Sequence, residues 1–356
     1  MEYYVVKSGM QMYDLSKAYG LGLILQKLSG STAKVKDFGY YYLVDIPTEC
    51  DLRRIDELAS LLPEESDKKW NYLFLTLKGK GRDNKIKELK KLIINKNTIS
   101  TILNKFAIIN QPEIFDSKRK DKNETLYQSL DLGATKGFRE EIKGVVYHEG
   151  SQLYVPKEDF LLSVIGHINF TIWKWKMEKK GGQLIMILFN PSSEGIRIGI
   201  SPDARDIKRR IDESLITHKA GIFPTLSYAA VLLAKEISLQ KERIVKFSNL
   251  TFGIMVGSGQ QRKPYGGGEY PLDFLHKIID STEKATEIFD QWINIFRLTN
   301  KPGYEDLALY LSEFITHPSE ETLEKYLKTH LRIFLSRKIK LKLYEYDIIE
   351  EVVRNV

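Results

Sequence analysis

Cysteine is nearly absent from this chain of 356 residues, and a lone Cys50 can close neither an internal disulfide nor a cysteine-based metal site. Reducing cytoplasm is therefore the expected compartment. The six histidines, His148, His167, His218, His276, His317 and His330, are scattered and form neither HxxxH nor HExxH. The sequence thus announces no zinc or two-metal hydrolase site. No GxSxG nucleophile elbow is present, and Gly257-Ser258-Gly259 is too short to be one. Long apolar runs are missing as well. Phe160–Trp175 and Leu184–Phe189 are too short or too broken by polar residues to span a bilayer. The opening MEYYVVKSGM lacks the basic-then-apolar pattern of a secretion signal. No membrane partner, no metal and no cofactor are expected.

What is present is a protein of ordinary globular composition. Its 42% hydrophobic residues can fill a core, and its length suits about two domains. Lys+Arg 54 against Asp+Glu 47 gives a net charge of +7, a balance that suits an anionic partner. Usage rich in lysine, glutamate and isoleucine is compatible with a thermophilic source.

The chain is expected to be α+β: a mixed α/β region over residues 1–270, followed by an antiparallel helical bundle over 271–356. Met12, Leu15, Ala18 and Tyr19 recur at helical spacing, with Gly20 and Gly22 interrupting that helix or allowing close packing against it. Tyr40–Asp45 and Trp70–Leu77 read as strands. Leu52, Ile55, Leu58 and Leu62 mark a helix between them, and Ile99, Ile102, Leu103, Phe106 and Ile109 mark another. The charged stretch 116–143 reads as a long exposed loop. Phe160–Glu178 reads as one helix, and Leu184–Phe189 with Ile196–Ile200 as an antiparallel pair around Asn190-Pro191-Ser192-Ser193. Ile207, Ile211 and Leu215 suggest a short helix, and Thr225 an N-cap for the next. Three helical patterns close the chain: Leu272–Leu298, Tyr304–Ile315 and Ser319–Lys342.

Three places carry candidate binding chemistry. The first is GSGQQRKPYGGGEY, Gly257–Tyr270, a glycine-rich segment between an apolar strand-like run and a helix. It presents Gln260, Gln261, Arg262, Lys263 and Tyr265, groups suited to base edges, phosphates and base faces. A flexible polar hairpin or connector is the competing reading. The second is the basic cluster 78–96. There Lys78, Lys80, Arg82, Lys85, Lys87, Lys90, Lys91 and Lys96 face only Asp83 and Glu88. The GxxxxGK[ST] spacing of a phosphate loop is absent from it, which argues against nucleotide hydrolysis. Asp83 with Glu88-Leu89-Lys90 loosely mimics a nuclease D…ExK pattern, but at helical rather than strand spacing. A solvated helix face and a phosphate-tracking surface both remain open there. The third is the last helix, where Lys325, Lys328, Arg332, Arg337, Lys338, Lys340 and Lys342 occur with no intervening carboxylate. It suits a phosphate backbone, an acidic protein partner, or the helix macrodipole. Trp173 and Trp175, interleaved with lysines, suit base stacking or, for one of them, the core.

The segments YDLSKAYGLGLIL (Tyr13–Leu25), EYPLDFLHKII (Glu269–Ile279) and LALYLSEFITHPSEETLEKYLKTHLR (Leu307–Arg332) resemble the large subunit of type I CRISPR surveillance complexes (Cascade), in particular the archaeal I-A-like form. The resemblance implies a non-enzymatic role in antiviral defence. Such a subunit contacts the 5′ handle of a guide RNA, reads a short protospacer-adjacent motif in double-stranded target DNA, and aids unwinding. It sits among other Cascade subunits and recruits a separate helicase–nuclease. Sequence reading is left to base pairing, and only the short duplex motif falls to the protein. Gln260, Gln261, Arg262 and Lys263 then resemble, by role, a finger inserted into DNA. The nucleic-acid-binding set expected on these grounds is Gln260–Lys263 and Tyr265 with Lys78, Lys80, Arg82, Lys85, Arg332, Arg337 and Lys338. The competing class is a divergent nuclease or RNA-processing enzyme, and a purely structural assembly protein is a third.

Overall fold

Helix α1 (Gln11–Ser29) is buried almost all round, Asp14, Ser16 and Lys17 included. That explains why its apolar residues form no one-sided stripe. The computed structural model describes residues 1–74, 79–113, 126–128, 154–178, 181–199, 203–240, 247–258, 261–336 and 346–354. The protein is α+β. Its described residues fall into two compact units, Met1–Lys208 with Thr251–Gly268, and Arg209–Leu250 with Glu269–Val356. The chain therefore crosses between units three times, and the boundary read near residue 270 lies at the last crossing.

In the first unit, β1 (Glu2–Val6), β2 (Ala33–Asp37), β3 (Tyr41–Asp45) and β8 (Ile196–Ile198) form an antiparallel sheet ordered β1-β3-β2-β8. Residues two apart on a helix point about 200° apart, so Gly20 and Gly22 face opposite ways. A Cβ on Gly22 would stand 2.9 Å from Ile198 and 3.2 Å from Val35 of that sheet. A Cβ on Gly20 would stand 2.0 Å from the Leu162 carbonyl oxygen of α5 (Lys157–Phe170). Gly166 of α5 meets the Ser16 carbonyl at 1.8 Å in the same way. The two helix backbones touch, and any side chain at either glycine would separate them.

This contact buries charge. Lys17, 2% exposed, lies 3.3 Å from Asp14 and 3.7 Å from Asp159, and Lys105 lies 2.7 Å from Asp159. The backbone N–H of Ser8 donates to Asp14 at 2.6 Å. Burial raises the Asp14 carboxyl's pKa, and Lys17 and the Ser8 donors partly offset that rise. Removing one member of such a set leaves an uncompensated buried charge, at a cost of about 3–5 kcal/mol.

A second sheet has the order β10-β9-β7-β6, from β6 (Ile172–Glu178), β7 (Gly181–Pro191), β9 (Phe247–Ser258) and β10 (Gln261–Pro271). β4 (Leu126–Gln128) pairs antiparallel with β5 (Tyr154–Pro156). A 3-10 helix (Leu52–Leu61), α2 (Lys69–Leu73), α3 (Lys80–Ile93) and α4 (Lys96–Phe106) complete the unit. The second unit is helical: the end of α6 (Ala204–Ser214), α7 (Ile222–Ser238), α8 (Asp273–Ser281), α9 (Ala285–Thr299), α10 (Glu305–Thr316), α11 (Glu320–Leu335) and α12 (Tyr346–Arg354).

Several expectations are corrected. Of Trp70–Leu77, Trp70–Leu73 is helix, not strand, and 75–77 lie outside the described residues. Asp67 accepts from the Lys69 N–H at 2.8 Å, and Trp70 stacks on Phe74 one turn later, so local capping and ring pairing outweigh β propensity. Phe160–Glu178 is not one helix; it ends at Phe170, and beyond Thr171 the residues alternate as strand β6, antiparallel to β7. Leu184–Phe189 and Ile196–Ile200 do not pair with each other. β7 joins β6, whereas β8 pairs with β2 in the other sheet. Thr225 lies inside α7 rather than capping it; its hydroxyl donates to the Gly221 carbonyl and accepts from the His218 N–H. Leu272–Leu298 is two helices, broken at Thr282–Lys284. The last helical pattern ends at Leu335, and 337–345 lie outside the described residues. Of the stretch 116–143 only β4 is described.

Candidate nucleic-acid interface

Helix α3 starts where Gly79, at φ +58, turns the chain. Ile86, Leu89 and Ile93 are buried and hold the helix to the unit. Lys80, Asn84, Lys87 and Lys91 follow at spacings of four, three and four, which places them on one face. All four are exposed, and among the described residues the three lysines form no ion pair. Arg82, Lys85 and Lys90 of this cluster are engaged instead. Arg82 lies beside Asp83 and Asn71. Lys85 lies over the Phe160 ring at 5.7 Å, and Lys90 stands 3.5 Å from Glu64. Of the expected residues Lys78, Lys80, Arg82 and Lys85, only Lys80 belongs to the outward stripe, and Lys78 lies outside the described residues. Lys87 and Lys91 complete it; the helical spacing was their signal. Asp83, Glu88 and Lys90 all lie on α3, which removes the strand that a D…ExK site uses to aim its ligands.

The described residues of Gly257–Tyr270 are strand. β9 runs to Ser258 and β10 starts at Gln261. Gln261, Arg262 and Lys263 lie at the first positions of β10, and Gln260 lies outside the described residues. Tyr265 follows, 69% exposed. Gly266–Gly268 come next, and the Phe252 ring stands 3.8 Å from where a Gly268 Cβ would be. The far ends of both strands are held within the second unit. The buried Tyr270 hydroxyl donates to Ser227 at 2.7 Å, and His276 Nε2 lies 2.7 Å from the Phe247 carbonyl. Burial raises the Tyr270 phenol's pKa, and Ser227 opposes the rise.

Helix α11 is a different case. Ser319 and Thr322 form a reciprocal capping box at its start. Lys325 pairs with Glu321 at 2.9 Å and Glu313 at 3.8 Å, Lys328 with Glu324 at 2.6 Å, and Arg332 with Asp306 at 3.8 Å. Every described cation of that helix therefore faces a carboxylate. Arg337 and Lys338 lie outside the described residues.

The tryptophans of β6 lean on protein. Trp173 stacks on Tyr72 and meets His167 edge-on at 5.4 Å. The half-buried Trp175 occupies the space a Cβ on Gly182 would need, at 2.8 Å. Trp173 Nε1 and His167 Nε2 are buried without a hydrogen-bond partner among the described residues. Burial drives the His167 pKa down to about 3, so its ring is neutral at physiological pH. His218 bonds Thr299, and His330 bonds Tyr326, both inside the second unit. Among the described residues no three His, Cys, Asp or Glu are grouped to hold a metal, and no helix is long and apolar enough to cross a membrane.

Among the described residues, an α+β fold carries an exposed lysine stripe without ion pairs on α3 and a long glycine-bearing pair of strands. No family model matches the chain. An uncharacterized protein of Archaeoglobus fulgidus is 38% identical to it over 361 residues, covering 99% of this chain and 98% of the relative. The chain belongs to the same family as that archaeal protein.

Proposed function

We propose that the chain is a non-catalytic, cytoplasmic nucleic-acid-binding subunit of a type I RNA-guided surveillance complex. In this reading it holds the guide RNA 5′ handle and reads the protospacer-adjacent motif in duplex DNA. It aids strand opening beside other Cascade subunits and recruits a separate helicase–nuclease. The observation that supports it most is the α3 face. Three lysines there are exposed without carboxylate partners among the described residues, which leaves their charge available to phosphates. Lysine and asparagine suit backbone contact, and phosphate contacts set register rather than sequence. The motif-reading role falls to Gln261, Arg262 and Lys263 of β10, where amides and a guanidinium can meet base edges. Lys80→Ala, Lys87→Ala and Lys91→Ala together are expected to weaken duplex binding by roughly tenfold or more at moderate salt, read by fluorescence anisotropy. Alanine at 261–263 is expected to reduce discrimination between motif-bearing and motif-free duplexes more than overall affinity. Cleavage of RNA or DNA by the purified chain, abolished by one carboxylate or histidine substitution, would overturn the proposal.

A further inference from the structure

The second unit contains a cavity of about 110 Å3 among α6, α7 and α9. That far exceeds the roughly 10–15 Å3 that admits one water, so the space can take a ligand group. Ile211, Leu232 and Ile293 back it but are themselves buried, so its accessible lining is mainly polar. Two of its cations are paired, Arg210 with Glu236 at 2.8 Å and Lys235 with Asp290 at 2.5 Å.

Arg297 is not neutralised this way. Its Nε donates to the Tyr228 hydroxyl at 2.8 Å, and that hydroxyl donates to the Ser214 carbonyl at 3.2 Å. Tyr228 is fully buried and stacks on Phe296 at 5.6 Å. A neutral, rigid phenol thus orients the guanidinium, and no ion pair consumes its terminal nitrogens among the described residues. A guanidinium fixed at Nε keeps the planar pair of donors that matches a phosphate or carboxylate edge. Ser214 and Asn294 add neutral polar groups beside it.

We propose that this cavity binds the phosphate group of a nucleotide, gripped by the Arg297 guanidinium. Three cations against two carboxylates leave the lining at +1, and the paired charges keep the other positions from competing for bulk anions. The phosphate belongs either to a free mononucleotide or to a nucleic-acid strand. The site is separate from the α3 lysines and does not depend on their role.

Adenosine 5′-monophosphate titrated calorimetrically into the full chain tests the proposal. Saturable binding at one site is expected, with adenosine at least roughly tenfold weaker because it lacks the charge-assisted contact. Arg297→Gln should weaken the nucleotide at least tenfold, and Tyr228→Phe by roughly threefold, through lost orientation of the guanidinium. Glu236→Gln, which removes a lining carboxylate, should tighten it; a gain of this kind cannot come from misfolding. Competition then names the source. Displacement by a 5′-phosphorylated oligoribonucleotide alone assigns a strand end, equal displacement by the 5′-hydroxyl form assigns a backbone diester, and displacement by neither assigns the free nucleotide. Lys80→Ala/Lys87→Ala/Lys91→Ala should leave nucleotide affinity unchanged, which separates this site from the proposed duplex surface. Absence of saturable binding, equal affinity for adenosine, or unchanged affinity in both R297Q and E236Q would overturn it.

Discussion

Helix α3 carries six lysines and arginines in 14 residues and α11 three in 16, and the exposed cations of the two helices meet opposite fates. On α11 each described cation faces a carboxylate, from its own preceding turn or from α10, and the helix start is closed by a capping box. On α3 the exposed lysines find no such partner among the described residues, and the start has a glycine with no side-chain cap. One helix spends its charge internally; the other keeps it. Positive residue count alone therefore says little about where an anionic polymer binds. The distribution of carboxylates around each helix decides it.

The largest expected effect bounds the conditions under which the two helices can be compared. The folded-state pKa of His167, about 3, lies below its ordinary value of 6.5, so its contribution to stability is present above pH 6.5 and is lost as pH falls toward 3. The loss is of order 5 kcal/mol at about 1.36 kcal/mol per pKa unit. In denaturant titrations the stability of wild type minus that of His167→Gln should be constant above pH 6.5 and fall by about that amount on acidification toward pH 3. A difference that stays constant on acidification would contradict this. Binding comparisons accordingly belong above that pH.

The next effect is the comparison itself. Replacing Lys325, Lys328 and Arg332 by alanine should change duplex affinity by no more than about threefold, because their charge is already taken up by Glu321, Glu313, Glu324 and Asp306. The α3 triple should lose at least about tenfold. Equal losses would break the distinction. The cap provides a stability counterpart. Ser319→Ala should cost about 1 kcal/mol by urea unfolding, since a capping-box hydroxyl is lost. Lys87→Ala, on a solvated face, should stay within about 0.5 kcal/mol.

Much of the helical half of the fold was legible. The three- and four-residue spacing located α1, α4, α6, α10 and α11, because burial of one face repeats at that period. Gly20 and Gly22 were legible as either a break in α1 or a place for close packing; α1 runs through both, and their opposite partners, α5 and the first sheet, were not legible. Strand partners were the least readable. Ile196–Ile198 pairs with Ala33–Val35, some 160 residues away in sequence, and nothing local to either run specifies that. Trp70–Leu73 misled because aromatic β propensity carries no information about the Asp67 cap. At the candidate interface, the α11 cluster looked basic in sequence because its neutralising carboxylates lie outside the run, Glu321 and Glu324 one turn earlier and Glu313 and Asp306 on another helix. The lysine stripe at 80, 87 and 91 was present in the spacing, but Arg82 and Lys85 were grouped with it until the Asn71, Asp83 and Phe160 contacts separated them.

The salt dependence of duplex binding tests the central claim most directly. Each phosphate neutralised contributes about 0.9 to the slope of log affinity against log salt. Relative to wild type, the K80A/K87A/K91A chain should show a slope shallower by about 2 to 3, and the K325A/K328A/R332A chain an unchanged one. An unchanged slope in the α3 variant, or an equal decrease in both, would contradict the account.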